Sequence, residues 1–424
     1  MILSATALTA ALASPQTIVA QDGFRSPVRV ELRRTAQGFQ LLRNGQPYLV
    51  KGVGGGDELE LLKKMGGNSI RTWGADNLGP LLDRAHALGL TVTVGFWMGH
   101  ERHGFKYDDP KQVAEQKERA RQAVLAYRSH PAVLMWCVGN EMEGFEDGGN
   151  PNLWRAVNDV AVMFKQLDPS RPVMTITADL GGKRIPAINK YSPAVDIHGI
   201  NSYGGAASAV RRYRELGGVK PVMLTEFGPN GPWESAKTPW GVAIEETSTQ
   251  KAERYRAAYQ QFVKDNPNLA LGSYAFLWGH KQETTATWFG MLLPDGTRMA
   301  SADVMSELWT GRAPANRVPV ISALSVAGNG TIGPGASVRA TLAARDPEND
   351  NLRVDWYLKQ ESSDLRQGGD AEAVPPQVAN AVQRGDLTGA TLRMPTTPGN
   401  YRLFVTIRDG KGGGATANVP LRVQ

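Results

Sequence analysis

The chain has 424 residues, 41% hydrophobic and 21% charged. That balance excludes a disordered or low-complexity protein, and the length exceeds one ordinary domain. The net charge of +6 comes from basic residues scattered along the sequence, which argues against a nucleic-acid partner. The single cysteine, Cys137, excludes an intramolecular disulfide, and its place inside an apolar run makes it a packed thiol.

Met1 to Ala20 is apolar and uncharged. It reads as the hydrophobic part of a secretory leader ending near residue 22, although the usual basic start is missing. The expected location is secreted or periplasmic. No other stretch is long and apolar enough for membrane insertion.

Residues 24 to 46 alternate around Val28, Val30 and Leu32, then Phe39, Leu41 and Leu42, with Asn44-Gly45 as a tight turn. This predicts a hairpin. Strand and helix patterns then alternate eight times. The predicted strands are Tyr48 to Val53, Asn68 to Trp73, Leu90 to Trp97, the run ending at Glu141, Val173 to Thr177, Val195 to Ile200, Pro221 to Gly228 and Leu269 to Trp278. Among the helices, Leu153 to Leu167 has the clearest period, with Trp154, Val157, Val160, Ala161 and Phe164 on one face. Eight alternations in roughly 270 residues predict a (β/α)8 barrel over residues 23–311, with the hairpin closing its bottom.

After Trp309 the pattern changes. Residues 312–319 read as a linker. Residues 320–424 contain strand-like runs separated by Gly- and Asp-rich turns, which predicts a small immunoglobulin-like β-sandwich. The fold class is therefore α/β followed by all-β. Because the sandwich begins after the barrel's closing helix, it is expected to be an appendage outside the active site.

Two stretches share one arrangement. Val133 to Glu141 is an apolar run ending in Gly139-Asn140-Glu141, and Pro221 to Gly228 ends in Thr225-Glu226-Phe227-Gly228. In parallel α/β proteins the reactive groups sit just beyond the carboxyl ends of strands. The glutamates, on predicted strands four and seven, resemble the carboxylate pair of clan A of the retaining glycoside hydrolases. The wording around them resembles the barrel domain of family 2.

That resemblance implies Glu226 as nucleophile and Glu141 as acid/base in a double displacement. It places Arg71, in Ser69-Ile-Arg-Thr-Trp-Gly, beside the nucleophile. It also implies that Tyr203 donates its hydroxyl to Glu226, that Asn140 binds the sugar 2-hydroxyl, and that Trp278 lies beneath the scissile sugar. One departure is Asn201, where many relatives carry a histidine two residues before the tyrosine. The C-terminal part, with Asp346-Pro-Glu-Asn-Asp350 before Val354-Asp-Trp-Tyr357, resembles PKD- and cadherin-like modules, some of whose oxygen-rich loops hold calcium.

Six of the ten tryptophans fall at predicted strand ends or in the loops after them: Trp73, Trp97, Trp233, Trp240, Trp278 and Trp288. Barrel interiors are filled by branched aliphatic residues, so this bias suggests aromatic platforms for sugar faces. Trp97, Trp233 and Trp288 join the candidate substrate contacts on this ground. His100 and His103 are expected to bind sugar hydroxyls or brace their loop; their spacing is one short of a zincin motif, so no metal and no cofactor is expected.

The expected partner is a carbohydrate. The leading reading is a retaining β-glycosidase acting on a β-glucan-like chain, with transglycosylation as an alternative outcome at the same site. The rival is a non-catalytic carbohydrate-binding wall protein on a retired barrel. The presence of both glutamates with Asn140, Arg71 and Tyr203 argues against it.

Overall fold

A computed structural model describes residues 27–144 and 146–424. The leader expected over residues 1–22 lies outside the described residues. No described helix is long and apolar enough to cross a membrane.

The first described element is a three-stranded antiparallel sheet, β1 (Val30–Arg34), β2 (Phe39–Arg43) and β3 (Gln46–Pro47). Asn44 and Gly45 both have positive φ (55° and 78°) and join β2 to β3 as a two-residue turn. Val30 and Leu41 pack with Leu134, Met174, Ile197 and Met223 from the barrel strands. The small sheet thus plugs one end of the barrel.

Eight parallel strands form the closed barrel: β4 (Val50–Gly54), β5 (Ser69–Arg71), β6 (Thr91–Phe96), β7 (Val133–Val138), β8 (Val173–Ala178), β9 (Ile197–Asn201), β10 (Val222–Glu226) and β11 (Ala270–Ala275). All six residues of β7 are buried, as a strand covered on both faces requires. The helices α1 (Leu59–Lys64), α2 (Gly79–Ala87), α3 (Pro110–Tyr127), α4 (Pro151–Leu167), α5 (Arg184–Tyr191), α6 (Ala209–Glu215), α7 (Ser248–Tyr259) and α8 (Ala300–Thr310) cover the outside.

Their starts follow local chemistry. Asp109 caps α3 by accepting from Lys111 N and Gln112 N, with Pro110 in the first turn. Thr247 and Gln250 form a capping box on α7. On α4 the predicted stripe of Trp154, Val157, Val160, Ala161 and Phe164 is buried.

The C-terminal region holds two four-stranded sheets. One has the order β12 (Val320–Val326), β14 (Ser337–Arg345), β17 (Gly389–Arg393), β16 (Val382–Asp386); the other has β13 (Thr331–Ile332), β19 (Gly414–Val423), β18 (Gly399–Arg408), β15 (Arg353–Gln360). Val338, Ala340 and Leu392 from the first sheet meet Leu358, Leu403 and Leu421 from the second in a shared core. The short strand β13 and the polar strand β16 carry no hydrophobic alternation, so the sequence pattern misses them.

Contrary to the expectation of an appendage outside the active site, the sandwich is fastened to the barrel, and residues of its 361–370 segment line the same cavity as Glu141 and Glu226. Arg402 on β18 is buried, donates to Ala243 O (2.8 Å) in the loop after β10, and pairs with Glu361 (2.8 Å). Asn418 on β19 donates to Glu245 Oε2 (2.6 Å), whose other oxygen takes Lys251. Thr416 N donates to Ser248 Oγ (2.9 Å). The linker is held too: Val318 N donates to Asp303 Oδ2 (2.9 Å), and Arg298 donates to Asn316 O (2.5 Å). Hydrogen bonds to charged groups contribute about 1.5–3 kcal/mol each, and those of Arg402 to Ala243 O and of Asn418 to Glu245 cross the boundary, so these contacts fasten sandwich to barrel. In the acidic loop, carboxylate oxygens of Asp346, Asp350 and Asp409 lie within 4.8 Å of one another. Lys411 Nζ already bonds Asp350 (2.5 Å), and Asn316 bonds Asp409 (2.9 Å).

Candidate active site

Side chains in a strand alternate, so residues two apart share a face. At the end of β5 this puts Arg71 and Trp73 together. Arg71 is buried and donates from Nη1 to Glu226 Oε1 and to Thr225 O, both at 2.9 Å. Its Nη2 donates to Asn140 Oδ1 (2.5 Å). Trp73 Nε1 donates to the same Glu226 oxygen (2.8 Å), with the guanidinium 5.2 Å from the indole centre.

Tyr203, beyond the end of β9, completes the set by donating to Glu226 Oε2 (2.9 Å). Burial and then the Glu226 charge push its phenol well above the usual range, so it stays a donor. Three donors, one of them a cation, thus converge on Glu226.

Glu141 meets different neighbours. It follows Gly139 (φ 73°) and itself has φ 50°, a left-handed turn that ordinary side chains rarely adopt. Its Oε1 accepts one hydrogen bond, from Asn201 Nδ2 (2.7 Å). Burial first, and then the charge of Glu226, raise its pKa above the ordinary carboxyl range. Asn201 also donates to Asn140 Oδ1 (3.1 Å) and accepts from Thr225 Oγ1 (2.8 Å). Asn140 Oδ1 therefore receives both Arg71 and Asn201, which fixes which end of the amide remains for a ligand. Both glutamates line one cavity of about 1130 Å³ at the carboxyl ends of the strands.

Residues 56–231 match the TIM barrel domain of glycosyl hydrolases family 2. Over that stretch the barrel is similar to the family 2 TIM barrel domain. A β-glucuronidase from Paenibacillus borealis is 26% identical over 270 residues, covering 53% of this chain and 42% of the relative. One from Streptococcus agalactiae serotype V is 25% identical over 232 residues, covering 45% and 38%. The chain therefore spans about two fifths of the length of these relatives. Solved structures share the fold: a β-D-glucuronidase from Dictyoglomus thermophilum has a TM-score of 0.52 at 20% identity, covering 67% of this chain and 54% of that one. β-Glucuronidase 2 from Bacteroides uniformis has a TM-score of 0.51 at 15% identity, covering 93% and 48%.

Not every predicted contact reaches the cavity of this barrel. Trp97 (40% exposed) and Trp233 (63% exposed) line it. Trp278 and Trp288, each 1% exposed, do not. Trp278 packs in the main core, with its Nε1 pointed at Glu58 O (3.4 Å), because the chain has turned inward after β11 and its backbone N bonds Gly54 O (2.9 Å). Trp288 packs on Phe276 and Phe289 and donates to Asn230 O (2.9 Å). The aromatic face that β11 presents to the cavity is Phe276, set edge-on against Trp73 (5.9 Å) and Tyr203 (6.0 Å).

The histidines are braces rather than lining residues. His100 is buried and stacks beneath Trp97 (4.6 Å, 11° between planes), and burial lowers its pKa to about 4, so it is neutral. His103 bonds Asp370 of the sandwich (3.1 Å). Glu143, a neighbouring carboxylate, is held away by Arg184 (2.8 Å) and Ala178 N (2.7 Å).

Sequence reasoning missed the roles of Trp73, Asn201 and Phe276, although strand alternation around Arg71 and Tyr203 carried a signal for the first two. It also missed Glu283, a buried cavity carboxylate paired with Lys281 (2.8 Å), for which no local pattern speaks.

Proposed function

We propose that the protein is a retaining β-glycosidase. The observation that carries this reading is two glutamates in one cavity with opposite surroundings. Glu226 accepts hydrogen bonds from Arg71, Trp73 and Tyr203, and Glu141 is held protonated by burial and by the Glu226 charge. Retention needs such a pair about 5 Å apart.

Glu226 attacks the anomeric carbon while Glu141 protonates the departing glycosidic oxygen, leaving a glycosyl ester on Glu226. Glu141, now ionised, takes a proton from water as that water attacks the ester, and both residues return to their starting states. The free amide of Asn140 is the donor for the sugar 2-hydroxyl, fixed by the two hydrogen bonds its oxygen accepts. A sugar acceptor in place of water gives transglycosylation by the same steps.

The substrate is a β-linked, gluco-configured glycan. A neutral sugar suits a cavity that already carries the acidic side chains of Glu141, Glu226 and Glu283, with Lys281 engaged by the last. A second reading, a β-glucuronide, is favoured by the relatives, which are β-glucuronidases. Kinetics on 4-nitrophenyl β-D-glucoside, β-D-galactoside and β-D-glucuronide separates the two. A 2-fluoro-glycoside should leave its sugar on the peptide carrying Thr225-Glu226-Phe227; label on Glu143 or Glu234 would overturn the assignment.

A further inference from the structure

The barrel does not enclose the cavity by itself. Residues 361–370, between β15 and β16 of the sandwich, cross its mouth and supply one wall, with Glu361, Ser362, Leu365 and Arg366 facing in. Five contacts fasten this segment or its flanks to the two barrel loops beneath. Arg102, after β6, holds Asp370 (3.0 and 3.2 Å) and Gln367 O (2.8 Å). His103 reaches the same carboxylate. After β11, Lys281 Nζ donates to Gly369 O (2.6 Å), and Thr284 N donates to Glu372 Oε2 (2.6 Å).

The local sequence is built for this approach. Gly368 and Gly369 both have positive φ (60° and 74°), and a Cβ on Gly368 would lie 2.7 Å from Arg102 Nη2. At the other end, Glu361 is tied to the buried Arg402.

The inward side has the character of a ligand wall. Leu365 is 61% exposed although it lies beside a cavity that also carries the open rings of Trp97 and Trp233. Ser362 Oγ is buried without a hydrogen-bond partner. Apolar platforms interleaved with hydroxyl and guanidinium groups match the alternating C–H faces and hydroxyl edges of a sugar chain. Lys281 joins the segment to Glu283 on the cavity floor, so the wall is indexed to the reacting site.

We propose that segment 361–370 is the specificity element of this enzyme: it binds the units of a β-linked glycan beyond the reacting sugar. This rests on the glycosidase reading above for its reaction, but not for its binding test. The probes are 4-nitrophenyl β-D-glucoside and β-1,2-, β-1,3- and β-1,4-linked gluco-oligosaccharides of two to five units.

For the wild-type chain, kcat/KM should rise with length in one linkage series. In the Leu365→Ser, Arg366→Ala double variant that rise should fall about 10-fold relative to the aryl glucoside, with the loss in KM. Asp370→Ala, which removes the carboxylate held by Arg102 and His103 while leaving the side chains of Leu365 and Arg366, should give the same split more weakly. Equal losses on both substrate kinds would overturn the proposal, because the segment would then support the catalytic groups rather than hold substrate. So would a wild-type enzyme indifferent to length, or variants that match it. Calorimetry with the same oligosaccharides reads the wall without turnover. Binding that the double variant loses supports the segment even if Glu226 takes no label and the glycosidase reading fails. Absence of binding to the wild type overturns it.

Discussion

Strands β7 and β10 end alike, each running through buried residues to a glutamate at the barrel mouth, yet the two ends surround that glutamate differently. Glu226 sits among Arg71, Trp73 and Tyr203, all donors. Glu141 has one amide, from Asn201, and the negative charge of Glu226 nearby. The same residue type at the same position in the architecture is surrounded by donors in one case and, in the other, buried beside a like charge that favours its proton. The strand supplies the place, and the neighbouring strands supply the chemistry.

Exchanging the roles of the two ends is the strongest test of this contrast. Glu226→Gln removes the nucleophile and should lower kcat by about 10⁴-fold or more on every glycoside tested, with no glycosyl-enzyme seen by mass spectrometry. Activity within tenfold of wild type would mean that another group attacks the sugar.

Glu141→Ala should lower turnover about 10²–10⁴-fold for poor leaving groups and much less for activated aryl glycosides. Azide, which needs no general base, should restore turnover of the aryl substrate and give a β-glycosyl azide. An α-configured azide would place the acid/base elsewhere.

Weakening the donor set around Glu226 should cost less. Tyr203→Phe removes one hydrogen bond to a charged group, a loss of about 1.5–3 kcal/mol, or roughly 10- to 100-fold in kcat. Near-normal kcat would show that the phenol does not act on the reacting carboxylate.

The smallest effect concerns pH. Glu141 must be protonated to act as acid, so activity should fall as pH rises through its raised pKa. Asn201 hydrogen-bonds the ionised form and lowers that pKa, so Asn201→Ala should move the alkaline limb to higher pH. Stability carries the same sign. The folded state keeps the proton that the unfolded chain releases near pH 4.3, so stability is full below that pH and declines as pH rises through the folded pKa. Glu141→Gln should flatten that decline in thermal melts; a parallel decline in wild type and variant would locate the titrating group elsewhere.

The sequence alone determined the barrel, because each strand and helix announces itself through short-range periodicity: six buried residues in a row at Val133–Val138, and a 3.6-residue stripe along Pro151–Leu167. It also determined the two glutamates and Arg71, since strand ends are legible wherever an apolar run stops. What it left open depends on groups far apart along the chain. Trp278 and Phe276 differ by two residues, and only the turn after Ala275 decides that the phenyl ring faces the cavity while the indole enters the core. The donors on Glu226 come from positions 71, 73 and 203, so its surroundings exist only once the barrel closes. The sandwich wall is the extreme case. Asp370 meets Arg102 across 268 residues, and no local pattern records that one domain's loop completes the other domain's site. Secondary structure is written in neighbouring residues; electrostatics and cavity walls are made by residues that only the tertiary fold brings together.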